Sequence, residues 1–136
     1  MSFASFSRPA YINSFRRIIM PFAFEELHVY QVALKWVALS NALTYTPRFN
    51  LKRTILDQLG RASLSIPLNI AEGNGRWHDA EKKQYFRIAR GSIFECVAII
   101  QVLKSIGEIP EPRFSECYSC LEQLSKMMAG LIKSVE

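Results

Sequence analysis

The chain has 136 residues, 49% of them apolar and 21% charged, with a formal net charge of +5. That length suits one domain with a core large enough to fold without disulfides or metal. The three cysteines, an odd number with no secretory leader before them, argue against an extracellular disulfide framework and for the cytoplasm. No apolar run approaches the roughly 20 residues that span a bilayer, so no membrane role is expected.

Residues 1–20 contain Arg8, Arg16 and Arg17, no acid and no clean periodicity. They read as a basic N-terminal extension, either disordered or the result of a start placed upstream of Met20, and they leave 21–136 as the folded domain. Without those three arginines the net charge falls to +2, so distribution matters more than the total. From Arg48 to Arg90 there are nine Lys/Arg against four acids, whereas Gly91 to Glu136 has four against six.

Apolar residues at Leu27, Tyr30, Leu34 and Val37 predict a first helix over 27–43, with Glu25 and Glu26 at its positive start. Thr46-Pro47 is expected to end it and Asn50 to cap a second helix. Leu51, Ile55, Leu59, Ala62, Ile66 and Ile70 then form one apolar face about five turns long. Pro67 should bend its last turns, and Gly73 should stop it. A third helix opens at Asp79, carries Tyr85 or Phe86, Ala89, Ile93, Cys96 or Val97, Ile100 and Leu103, and stops at Gly107. Gly91-Ser92 interrupts this helix, and close helix packing there is the expected compensation.

Ile109-Pro110-Glu111-Pro112 reads as a stiff link, and a fourth helix runs from about Ser115 to Ser134 with Cys117 or Tyr118, Leu121, Leu124, Met127 or Met128, Leu131 and Val135 as its apolar stripe. No segment shows bounded strand alternation. The expected fold is all-α, an antiparallel up-down-up-down four-helix bundle. Val29, Val32, Val37 and Leu39 on the first helix, with Phe94 and Ile99 on the third, add apolar positions beyond one stripe per helix and suggest self-association.

Leu27-His28-Val29-Tyr30-Gln31, Gln58 to Ser63, Ser65 to Arg76, and Ala89 to Ser92 with Glu95 occur in that order. Together they resemble the bacterial four-helix-bundle proteins encoded by intervening sequences within 23S ribosomal RNA genes, over about residues 22–135. The resemblance implies a ring-like homopentamer and a family without an established enzymatic activity. It also implies a relation to accessory proteins of diversity-generating retroelements, which bind a reverse transcriptase and nucleic acid. The chain departs from the family in its short Arg48-Phe49-Asn50 link and in the residues before Met20.

Asn69, Glu72, Arg90, Ser92 and Glu95 are the shared polar positions, and the economical reading is a structural hydrogen-bond network of Asn69, Glu72, Ser92 and Glu95 in which Arg76 or Arg90 neutralises a carboxylate. A di-metal bundle needs two Glu-x-x-His motifs, yet only Glu25 to His28 has that spacing, because Gly75 precedes His78. Cys117, Cys120 and Cys96 fall short of a four-ligand zinc site and read as buried thiols. Gly73-Asn74-Gly75-Arg76 lacks the Lys-Ser/Thr of a phosphate loop and follows a helix, so it reads as a helix stop. No catalytic residue, metal or cofactor is therefore expected.

The basic cluster is the sharpest candidate. Lys83, Arg87 and Arg90 recur at i, i+4 and i+7, with Lys82 beside them and Arg76 at the helix entrance, a pattern suited to a phosphate track on RNA or DNA. The competing reading is a solvated face in which Asp79 pairs with Lys83 and Asp57 links Arg53 to Arg61. Trp77, Tyr85 and Phe86 interleave with these charges and are candidates for base stacking or for core. The sequence thus points to a non-enzymatic oligomeric module that binds nucleic acid or a ribonucleoprotein. The alternative is a scaffold that docks a protein partner, a reverse transcriptase or another, through its apolar faces.

Overall fold

The computed structural model describes residues 22–43 and 50–136, with side chains of the second helix described from Arg53 onward. The extension over 1–20, the Thr46-Pro47 stop and the Arg48-Phe49 link lie outside the described residues. A short 3₁₀ turn, Ala23–Glu26, leads into α1 (His28–Leu43), α2 (Asn50–Asn74), α3 (Asp79–Ser105) and α4 (Glu111–Ser134). The described residues contain no strand. Each helix packs on two others, α1 on α2 and α4, and α3 on α2 and α4, so the four enclose one core.

In α2, α3 and α4 most buried residues follow the expected stripes, although Ile55 and Leu131 are half-buried and Leu56 is buried beside Ile55. Leu59, Ala62, Ile66 and Ile70 face Phe86, Ala89, Ile93, Cys96, Ile100 and Leu103, and Cys117, Cys120, Leu121, Leu124 and Met128 close the core. In α1 the stripe is displaced. Val29, Val32, Ala33, Trp36 and Ser40 are buried, while Tyr30, Leu34 and Val37 are only half-buried. This helix is apolar on several faces, so its period does not choose an inward side. Trp36 chooses it: the indole fills the core and Nε1 donates to Ser63 Oγ at 2.9 Å, which in turn lies 3.6 Å from Cys96 Sγ. A buried indole N–H needs such a partner, and Ser63 on α2 supplies it.

Three local expectations are corrected. Gly73 is not itself the last helical residue: α2 ends one residue later at Asn74, within the expected Gly73–Arg76 stop. A Cβ built at Gly73 would lie 2.7 Å from Phe86 Cε1 and 2.9 Å from Tyr85 Cβ, so this glycine is required by the close approach of α3. Gly91, expected to mark such an approach, is exposed with open space around it. The fourth helix starts at Glu111 rather than near Ser115, because Pro110 takes the cap position and Pro112 occupies the first turn, where a missing N–H costs nothing.

Gly107 does end α3. Its φ of +72° belongs to the left-handed region, Glu108 N–H donates to Leu103 O at 2.8 Å, and Gly107 N–H donates to Lys104 O at 3.1 Å. These are the paired bonds of a Schellman stop.

Candidate nucleic-acid interface

The five basic candidates divide into two groups. At the α2–α3 turn, Arg76 Nη2 donates to Glu72 Oε1 at 2.9 Å and to Tyr85 Oη at 2.7 Å, with its guanidinium carbon 4.7 Å from the Tyr85 ring centroid. The hydrogen bond to Glu72, followed by the charge interaction with Tyr85, raises the Arg76 pKa further above its ordinary value. Lys82 Nζ donates to Asn74 O at 2.9 Å, placing a cation on a terminal carbonyl of α2. Both side chains therefore fasten the turn. Trp77 projects from it 93% exposed, whereas Tyr85 is half-buried against Arg76 and Phe86 belongs to the core.

Further along α3 the charges are in no ion pair among the described residues. Lys83 is half-buried, and Arg87 and Arg90 are exposed. Among the described residues, ion pairs link Arg76 to Glu72, Lys104 to Glu111, Arg113 to Glu116 and Lys126 to Glu122. Neither the expected Asp79–Lys83 pair nor the Arg53–Asp57–Arg61 ladder forms. Arg90 instead lies over the Phe94 ring, 4.6 Å from its centroid. Arg87 and Arg90 share a surface cleft with Lys133 of α4, where Glu136 contributes a carboxylate. Sequence spacing did not single out Lys133, because it is on a different helix and only α3–α4 packing brings it beside the two arginines.

The four polar candidates are placed in three separate contacts. Ser92 Oγ lies 2.8 Å from Ser65 Oγ. Asn69 Nδ2 donates back to Ser65 O at 2.8 Å and Ser65 Oγ at 3.0 Å. Glu95 accepts from Gln58 Nε2 on the exposed side of the α2–α3 contact, and Glu72 takes the Arg76 bond at the turn. Ser65 is the hub that sequence reasoning missed. Its spacing to Asn69 was visible, but its partner Ser92 sits across the helix pair.

The cysteines are free and buried. Burial pushes the thiol of Cys96 from its ordinary 9.0 up to about 11, that of Cys120 to about 11 and that of Cys117 to about 12. Such thiols are poor nucleophiles at neutral pH. Among the described residues no group of three or more His, Cys, Asp and Glu side chains is arranged to hold a metal ion. No helix among them is long and apolar enough to cross a membrane.

No curated protein matches the sequence. Among solved structures, the chain is similar to a protein of unknown function from the S23 ribosomal protein family of Bacteroides thetaiotaomicron. The two share 18% identity with a TM-score of 0.69, over 77% of this chain and 95% of the other, a likeness of fold. Residues 25–130 match the family described as 23S rRNA-intervening sequence protein. That match takes in α1, α2 and α3, α4 as far as Gly130, and the five basic candidates Arg76, Lys82, Lys83, Arg87 and Arg90, and the chain belongs to the 23S rRNA-intervening sequence protein family.

Proposed function

We infer that this protein is a non-enzymatic, oligomeric binding module of the cytoplasm that associates with nucleic acid through the α3 side of its bundle. The observation that carries the reading is the exposure of Arg87 and Arg90 beside Lys133, without a carboxylate paired to either arginine among the described residues. Guanidinium groups left in this state are suited to phosphate oxygens and carry no base readout by themselves. Lys83 extends the track toward the turn. Arg76 and Lys82 contribute charge there, but their hydrogen-bonding capacity is partly committed.

The domain in this reading is an antiparallel up-down-up-down bundle over 21–136, following a basic extension over 1–20. Contacts of Gln58 with Glu95, Ser65 with Ser92, and Asn74 with Lys82 support opposite directions for α2 and α3. The assembly is a homopentamer. Leu64 and Leu68 on α2 and Ile88 on α3 are exposed near the Ser65–Ser92 contact, and Gly91 lies beside them with nothing over it, which suits close packing of a second copy. Several copies of a modest cationic patch bind a polyanion multivalently.

The test is binding of labelled single-stranded RNA and duplex DNA across a salt series, comparing wild type with Arg87→Glu/Arg90→Glu after matching their folds and oligomeric masses. Salt-sensitive binding that the variant loses supports the assignment. Equal binding by the two proteins refutes it. Absence of binding at low salt favours a scaffold that docks a protein partner, a reverse transcriptase or another, and the exposed Leu64, Leu68 and Ile88 are the observation on that side.

A further inference from the structure

Beyond the cationic track, the α3–α4 seam continues as an apolar groove of about 250 Å³ walled by Phe94, Val97 and Tyr118. The two stretches meet at the Arg90–Phe94 stack, since Arg90 lines the basic end and Phe94 the apolar one. On the α4 side the floor is kept low by Ser125 and Ala129, one turn apart. From Arg87 to Val97 the seam runs about 15 Å along the helix.

Phe94 and Tyr118 remain 48% and 40% exposed, although the core beneath them is filled. Tyr118 is held in place by Phe114, stacked on it with centroids 5.8 Å apart, and Lys104 lies 4.3 Å from the Phe114 centroid. Rings fixed in this way lose little freedom on receiving a ligand. Glu122 lines the apolar end, but Lys126 sits 3.5 Å from its carboxylate and offsets its charge.

We propose that this seam binds unpaired nucleotides, with Arg87, Arg90 and Lys133 holding phosphates and Phe94 and Tyr118 receiving bases. The proposal rests on the nucleic-acid reading above and narrows it to single strands. A duplex keeps its base faces stacked inside, so it can use the cations but not the rings, whereas an unpaired strand can use both. Charge complementarity favours a polyanion as the occupant, because Arg87, Arg90 and Lys133 line this end of the groove together with Glu136.

The test compares a labelled single-stranded RNA with the duplex of the same sequence, using the full chain and the variants Phe94→Leu and Tyr118→Leu, which keep apolar bulk and remove the ring. Wild type is expected to prefer the single strand. Each variant should lose about fivefold or more of that affinity while holding its duplex binding. Binding of single strand and duplex alike, unchanged by either variant, overturns the groove and leaves the nucleic-acid reading standing. Binding of neither form overturns both and gives the seam to a protein ligand.

A second measurement does not depend on how the variants fold. A 5-iodouridine-substituted single strand, irradiated on the wild-type protein, should crosslink to Phe94 or Tyr118 in peptide mapping. A crosslink confined to other residues overturns the assignment.

Discussion

The two ends of the basic stretch on α3 carry the same residue types and do different work. At the α2–α3 turn, Arg76 and Lys82 are spent on Glu72, Tyr85 and the Asn74 carbonyl, and Gly73 lets α3 approach within contact of α2. Two turns later, Arg87 and Arg90 donate no side-chain hydrogen bond to an internal acceptor among the described residues, although Arg90 lies over the Phe94 ring, and both meet Lys133 across the α3–α4 seam. Positive charge in sequence is therefore a poor guide to positive charge available to a ligand. Hydrogen-bond commitment decides, because a cation already bound to an internal acceptor must break that contact to serve an external one.

The most direct way to break this comparison is to remove the charge at each end. Arg87→Gln/Arg90→Gln should lower nucleic-acid affinity about tenfold at low salt and reduce the salt slope by about 2, while Arg76→Gln/Lys82→Gln should change affinity less than about threefold. Equal losses at the two ends in a salt titration would erase the distinction. Stability should show the opposite ranking. Gly73→Ala must push against the Phe86 ring and Tyr85 Cβ, and its expected cost is about 1–3 kcal/mol in denaturant unfolding. A neutral result would mean that the turn is not tightly packed.

The core beneath both regions has its own signature. The three buried thiols have folded pKa values above their ordinary 9.0, so near pH 10 the unfolded chain releases protons that the native state retains. Protons bound in excess by the native state make stability fall as pH rises. The loss should begin near pH 9, reach about 1 kcal/mol per thiol at pH 10 and end as the folded values near 11–12 are passed. Urea unfolding at pH 8 and pH 10, with Cys117→Ala and Cys120→Ala as comparisons, checks the sign and the share of each.

The smallest effect sharpens the contrast between the two glycines. Gly91→Ala meets open space and should stabilise an isolated subunit by up to about 1 kcal/mol. If a second copy packs on that face, the same substitution should weaken the assembly, which sedimentation or native mass measurement would register. A gain in subunit stability with unchanged mass would remove Gly91 from the oligomer face.

Much of the helical fold was legible in the chain. The stripes of α2, α3 and α4, and the stop at Gly107, follow from spacing and from a residue that tolerates positive φ, both of which are local properties. The basic run on α3 was equally plain. Other features depended on contacts between helices. The inward face of α1 was misjudged because Val29, Val32 and Leu39 blur its period, and the choice is made by the Trp36 bond to Ser63, 27 residues away. The close approach expected at Gly91 is found at Gly73 for the same reason, since a glycine's letter does not say which helix passes over it. The candidate groove was hidden in a similar way, with Phe94 and Arg90 on one helix and Tyr118 and Lys133 on another.

By itself, the sequence determined the number of helices, three of their four inward faces and the supply of charge, because period and composition act within a single element. Only the tertiary structure decided which cations remain unpaired, which glycine must stay a glycine and which aromatic rings border the basic seam. Those outcomes depend on the register of one helix against another, where a shift of one residue rotates every side chain by about 100° and changes its neighbours.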